Sequence, residues 1–126
     1  MQKDKIYIKA LKLMYDSIHT EVKEFAKFLF KLVQKYKLYD ELYENENLIE
    51  FRIRTPTINL DLPWYYVSMD VIDIVKIVNE EYYFVMFNGY IVSTKNKIIE
   101  IISSIMRREL PSEVKEKLIT WLLLRN

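Results

Sequence analysis

Three observations predict an α+β fold, with a long N-terminal helix, a small antiparallel sheet in the middle and two C-terminal helices packing on the first. Apolar residues recur at alternating steps of 3 and 4 from Ile8 to Tyr43. Between residues 48 and 93 the period shortens to two and turn residues appear. From Ile98 to Leu122 the helical spacing returns. The 126 residues suit a single domain. Residues 1–45 and 94–126 form its helical body, and residues 46–93 a β-rich insertion. A hydrophobic share of 51% supplies a core and argues against disorder.

The N-terminal element rests on Ile8, Leu11, Tyr15, Ile18, Val22, Phe25, Leu29, Leu32, Tyr36, Tyr39 and Tyr43, a heptad pattern with no polar interruption. A helix from about Lys5 to Tyr43 would run about 60 Å at 1.5 Å per residue. A break is expected near Lys37–Asp40, where an acidic run begins. Met14, Ala26, Phe28 and Val33 widen the stripe beyond a coiled-coil seam. Four of the seam residues are tyrosines, whose hydroxyls need partners when buried. The seam therefore reads as a core helix clasped by its own domain. The other reading is a helix that binds a partner or a second copy, with Tyr36, Tyr39 and Tyr43 as the interface.

In the next stretch, Ile49, Phe51 and Ile53 alternate with Glu50, Arg52 and Arg54, which predicts a half-buried strand. The parity resets after Pro56, so Ile58, Leu60 and Leu62 predict a second strand, with Pro56 at a turn or bulge and Pro63 at the end. Residues 64–78 read equally as strand or helix. Val71–Val78 is rich in β-branched residues, yet Asp70, Asp73 and Lys76 fall three apart and Ser68 can cap a helix. Asn88-Gly89, between Tyr82–Phe87 and Tyr90–Ser93, is a hairpin signal, because a type I′ turn needs positive φ at both central residues. Ile98, Ile101, Ile102, Ile105 and Met106 line one terminal helix. Leu110-Pro111-Ser112-Glu113 starts the other, faced by Val114, Leu118, Trp121 and Leu122.

Composition excludes several chemistries. The absence of Cys removes disulfides, thiolate zinc sites and a cysteine nucleophile. One Gly cannot build a phosphate-cradling loop, and one His, His19, supplies neither a triad nor an imidazole-rich metal site. No cofactor, metal or catalytic residue is expected. The start MQKDKIYIKA lacks the uncharged core of a secretory signal. The apolar runs Tyr82–Phe87 and Ile119–Leu124 fall far short of the ~20 residues that cross a bilayer. The expectation is a cytoplasmic protein with no membrane partner. Abundant Ile, Lys, Tyr, Glu and Asn suit an AT-rich genome, and Lys/Glu enrichment suits a thermophile, so an archaeal or viral source is expected.

The net charge of +1 hides segregation. Residues 1–39 carry nine lysines against four acids, residues 40–50 five acids and no base, and residues 94–126 seven bases against four acids. Lys23, Lys27, Lys31 and Lys35 recur every four residues, a ladder on one helix side. Like charges at that spacing cost roughly 0.2–0.5 kcal/mol per pair. A phosphate backbone laid along them would offset the repulsion and release counterions. Ordinary solvation of a helix back is the competing account. Lys95, Lys97, Arg107 and Arg108 join this surface if the terminal helices pack beside the first. Arg52 and Arg54, with aromatics from Trp64–Tyr66 or Tyr82–Tyr83, are candidates for a single-strand stacking face. Cross-strand pairing with Asp61 or Glu50 is the structural alternative. Asp61, Asp70 and Asp73 are the only acids grouped as a magnesium-dependent nuclease would need, and Glu21-Val22-Lys23 and Glu113-Val114-Lys115, which spell the nuclease acid-x-Lys, sit in predicted helices.

The expected function is a non-catalytic accessory or adaptor subunit that binds nucleic-acid backbone, DNA or RNA, within a larger nucleoprotein assembly. Its partners would be nucleic acid, other protein subunits or both, and homo-oligomers are compatible with it. The plan of a helical body with a small sheet is like that of the small subunits of archaeal CRISPR effector complexes, an analogy of architecture without a shared motif. The alternative is a protein–protein module such as a viral or plasmid-encoded regulator or inhibitor. A metal-dependent nuclease is a distant third.

Overall fold

A computed structural model describes residues 2–59 and 66–125. Asp61, Trp64 and Tyr65, and with them the predicted strand through Leu60 and Leu62, lie outside the described residues. Among those residues are four helices and five strands: α1 (Gln2–Tyr15), α2 (Thr20–Tyr36), β1 (Glu41–Glu44), β2 (Leu48–Asn59), β3 (Tyr66–Ile77), β4 (Tyr83–Phe87), β5 (Tyr90–Ile91), α3 (Asn96–Met106) and α4 (Ser112–Leu124). The strands form one antiparallel sheet in the order β1-β2-β3-β4-β5. The fold is α+β.

Side-chain parity and pairing register separate the two faces of the sheet. Phe51, Ile74 and Val85 share one, and Glu50, Val75 and Phe84 the other. Phe30 of α2 meets Phe51 and Tyr83, at 4.8 and 5.4 Å between ring centroids. Ser104 of α3 meets Thr55, and Trp121 of α4 packs on Phe25 and Phe28 of α2. Helices α2 and α3 therefore cover the first face, and α4 packs against them. The second belongs to α1, through Tyr15 on Phe84 and the Tyr7 hydroxyl on the Met86 sulfur. The sheet is a middle layer rather than an insertion beside a bundle.

The helix expected from Lys5 to Tyr43 is two helices, and its last stretch is not helical. After Tyr15 the Ser17 hydroxyl donates to the Met14 carbonyl, competing with helix continuation. His19 then caps α2, its Nδ1 accepting from the Glu21 N–H at 3.1 Å. Its own N–H donates to the Ser93 carbonyl beyond β5, so the linker passes around that edge of the sheet. At the far end Lys37 takes a left-handed conformation, φ 52° and ψ 48°, and stops α2. Leu38 turns inward, and Tyr39 stacks on Phe51 at 4.9 Å instead of extending a helical seam.

Two readings of the strands are settled or corrected. Residues 66–77 are strand. Ile72 and Ile74 are buried on one face of β3, and Asp73, Val75 and Ile77 on the other. A strand buried on both faces reads as a near-continuous apolar run, which is why its period was ambiguous. Pro56 marks neither a turn nor a strand end. It lies inside β2 opposite Met69. Strand β1 pairs only with Ile49–Arg52, so Pro56 sits where β2 has become an edge and its missing N–H costs no ladder bond on the outer side. Between β4 and β5, Asn88 (φ 50°) and Gly89 (φ 85°) separate the paired Phe87 and Tyr90.

Candidate nucleic-acid interface

Helix α2 buries Val22, Phe25, Ala26, Leu29, Phe30, Leu32 and Val33, leaving the lysine side outward. A step of four residues exceeds one turn by about 40°, so three steps swing the ladder about 120° around the axis while it climbs about 18 Å. It begins beside β4 and α1. Lys23 is half-buried, with its ammonium 4.2 Å above the Tyr15 ring. Lys27 pairs with Glu81 at 3.1 Å. Lys31 faces solvent, and Lys35 lies 5.4 Å over the Tyr36 ring, on the side facing α4. Among the described residues neither Lys31 nor Lys35 has a carboxylate partner.

Glu81 is the acid paired with the ladder, and Glu24, also exposed on the outer side of α2, leans to Arg125 at 3.9 Å. Hydrogen bonding from Lys27, then the charges of Lys27, Lys76 and Lys31, hold the Glu81 carboxyl below the usual range. Lys27 is correspondingly raised by the same hydrogen bond. Two cations that the sequence did not single out join the edge. Lys12 pairs with Glu80 at 2.7 Å and lies over Tyr82. Lys76 donates to the carbonyls of Ile77 and Glu80 and lies over Tyr83. The available signal was Lys76 itself, a single base in a β-branched run.

The remaining nominated cations do not gather on this surface. Arg52 makes a two-pronged pair with the buried Asp73, 2.7 and 3.3 Å, on the α1 face of the sheet. Arg54 pairs with Glu41 at 2.8 Å. Arg108 holds Asp40 through two bonds of 2.8 and 3.0 Å and also donates to the Leu38 carbonyl. Arg107 reaches Asp70, Thr57 and Ser104 from the end of α3. Lys97 pairs with Glu100 within its own helix, and Lys95, exposed before α3, has no ion pair among the described residues. The arginines are thus engaged in fastening α3 and β1 to the sheet.

Tyr36 and Tyr39 are half-buried against the protein's own core, whereas Tyr43 stands half-exposed on β1. The Tyr36 hydroxyl is enclosed without a partner of sound hydrogen-bond geometry, and the nearby Glu113 carboxylate, then burial, hold its pKa above the usual tyrosine value.

Two polar clusters remain. On the α2–α3 face, Asp70 accepts from Thr57 (2.7 Å), Asn88 (3.2 Å), Ser104 (3.3 Å) and Arg107 (3.3 Å). The Ser104 hydroxyl also bonds the fully buried Thr55 hydroxyl at 2.7 Å. His19 is spent on the α2 cap and is not part of this cluster. On the opposite face Asp73 sits beside Glu50 and Tyr7. Burial, then the charges of Glu50 and Asp73, push Tyr7 up to about 12. Asp70 and Asp73 thus point to opposite sides of β3 and do not converge on one ion. Among the described residues no group of three or more His, Asp or Glu is arranged to hold a metal, and no helix is long and apolar enough to cross a membrane.

The geometry defines a class: a three-layer α+β domain with one basic helix face. No protein-family model, curated protein or solved structure matches the chain.

Proposed function

We propose that this chain is a non-catalytic accessory or adaptor subunit that holds nucleic-acid backbone along the outer side of α2 within a larger nucleoprotein assembly. The observation that supports this is the ladder's charge balance. Lys27, Lys31 and Lys35 are exposed along the helix back with Lys23 half-buried at its start, and among the described residues Glu81 is the one carboxylate paired with them. Such a face contacts phosphates without reading bases, so binding is independent of sequence. The contact set is Lys23, Lys27, Lys31 and Lys35, extended by Lys12 and Lys76. Arg52, Arg54, Arg107 and Arg108 serve the fold instead.

Neutralising four phosphates with the ladder lysines alone gives a slope of about −3 to −4 in log K against log salt, and six with Lys12 and Lys76 about −4 to −5. Replacing Lys27 and Lys31 together by Glu abolishes binding to single- or double-stranded oligonucleotides in fluorescence anisotropy at low salt. Replacing Glu81 by Gln releases Lys27 and tightens binding. Affinity unchanged by the double replacement, or independent of salt, overturns the reading.

A further inference from the structure

The two edges of the sheet are unequal. One ends in the two residues of β5, and the other is β1, exposed along its whole length. The Asn45 N–H donates to the Leu48 carbonyl at 3.0 Å. Antiparallel alternation then turns the peptide groups of Tyr43 toward β2 and those of Leu42 and Glu44 outward. Leu42 and Tyr43 are 46% and 50% exposed, one on each face of the strand. Outward peptide groups flanked by apolar side chains are what strand addition uses, the main chain giving affinity and alternate side chains specificity.

Charge selects the occupant. Glu41 is engaged by Arg54, but Glu44 and Glu46 have no cationic partner among the described residues. A second copy of β1 is disfavoured. Antiparallel pairing sets outward residues against outward residues, so self-pairing about Leu42 puts Asp40 against Glu44, about Tyr43 puts Asp40 against Glu46, and about Glu44 puts that acid against itself, while in-register parallel pairing sets each acid against itself. We propose that the β1 edge docks an extended, lysine- or arginine-rich segment of a partner protein as a sixth strand. This interface is on a different element from the lysine ladder, although only Lys37–Asp40 join the end of α2 to β1. It lies at the opposite edge of the sheet from the β4 side where the lysine ladder begins.

The test is titration of the isotopically labelled full chain with a capped peptide of alternating Lys and Val, followed by amide NMR. A Glu-Val peptide of equal length is the comparison. The Lys-Val peptide shifts and protects the Leu42 and Glu44 amides, and the Glu-Val peptide does not. Glu44→Lys with Glu46→Lys weakens binding tenfold or more. Glu44→Pro removes an outward N–H and none of the β1–β2 bonds, and it abolishes binding while the rest of the spectrum stays folded. The proposal is overturned if the Lys-Val peptide binds without moving those amides, if both peptides bind alike, if the substitutions leave affinity unchanged, or if β1 mediates dimerisation instead. Oligonucleotide binding by the Glu44→Pro chain reads the α2 face independently.

Discussion

Ser104 shows how one hydroxyl can fasten a helix to a sheet. It is buried and links the equally buried Thr55 to Asp70, and Arg107 donates to it as well. Ser104→Ala leaves the Thr55 hydroxyl unsatisfied, which costs about 1–3 kcal/mol in urea denaturation. Adding Thr55→Val restores part of that loss, because the stranded hydroxyl is then gone. Asp70 gives this cluster an acid sensitivity. Burial acts to raise its carboxyl, but hydrogen bonds from Thr57, Asn88, Ser104 and Arg107 outweigh it and hold the group below its usual value. A depressed carboxylate contributes stability above its unfolded pKa of about 4 and loses it as pH falls through the folded value. Thermal melts should therefore show an acid-side loss below about pH 4 that Asp70→Asn flattens. Glu50 has the opposite sign. Burial, then the Asp73 charge, raises it against the pull of Arg52. Its ionisation opposes folding, with the penalty entering as pH rises through the window above its ordinary value. Glu50→Gln should raise the melting midpoint at pH 7 and give no gain at pH 3.

At the scale of elements, periodicity revealed class better than connectivity. The steps of 3 and 4 marked helical residues correctly on both sides of His19, since Leu11 and Val22 are buried in α1 and α2. They hid the break, because Ile18 in the linker keeps the heptad position and is buried too. The break was written in polar residues, Ser17 bonding backward and His19 capping forward, and a count of apolar positions passes over them. The end of α2 falls at the start of the break expected near Lys37–Asp40 from the acidic run. The left-handed conformation of its stop was not legible, because lysine is a poor residue for one. Lys37→Gly should raise stability by about 1 kcal/mol, measured by chemical denaturation, by removing that Cβ conflict. For the candidate site, the ladder was legible as spacing. That arginines elsewhere are ion-paired depends on Asp40, Asp70 and Asp73 arriving from distant sequence.

For the molecule as a whole, surface charge is divided by layer and edge. The lysines of α2 look away from the sheet, while Glu44 and Glu46, with no cationic partner among the described residues, flank its β1 edge. A polyanion and a basic peptide are therefore expected to bind together without competing. Because a lysine-rich peptide also binds oligonucleotide directly, the check uses the Glu44→Pro chain, which should keep its oligonucleotide affinity within about a factor of two at constant salt, as expected of surfaces with no shared contacts. The placement of α1 has a further consequence, for synthesis. Its Tyr7 contacts Met86, 79 positions later, and its Lys12 contacts Glu80, 68 positions later. As the chain leaves the ribosome, α1 precedes the strand it will cover by most of the sequence, with Leu11 and Tyr15 still lacking their landing place. Closure of that layer is a late event, after the β3–β4 hairpin has formed, and a nascent chain stalled before Tyr83 carries an unsheltered greasy helix that invites a chaperone.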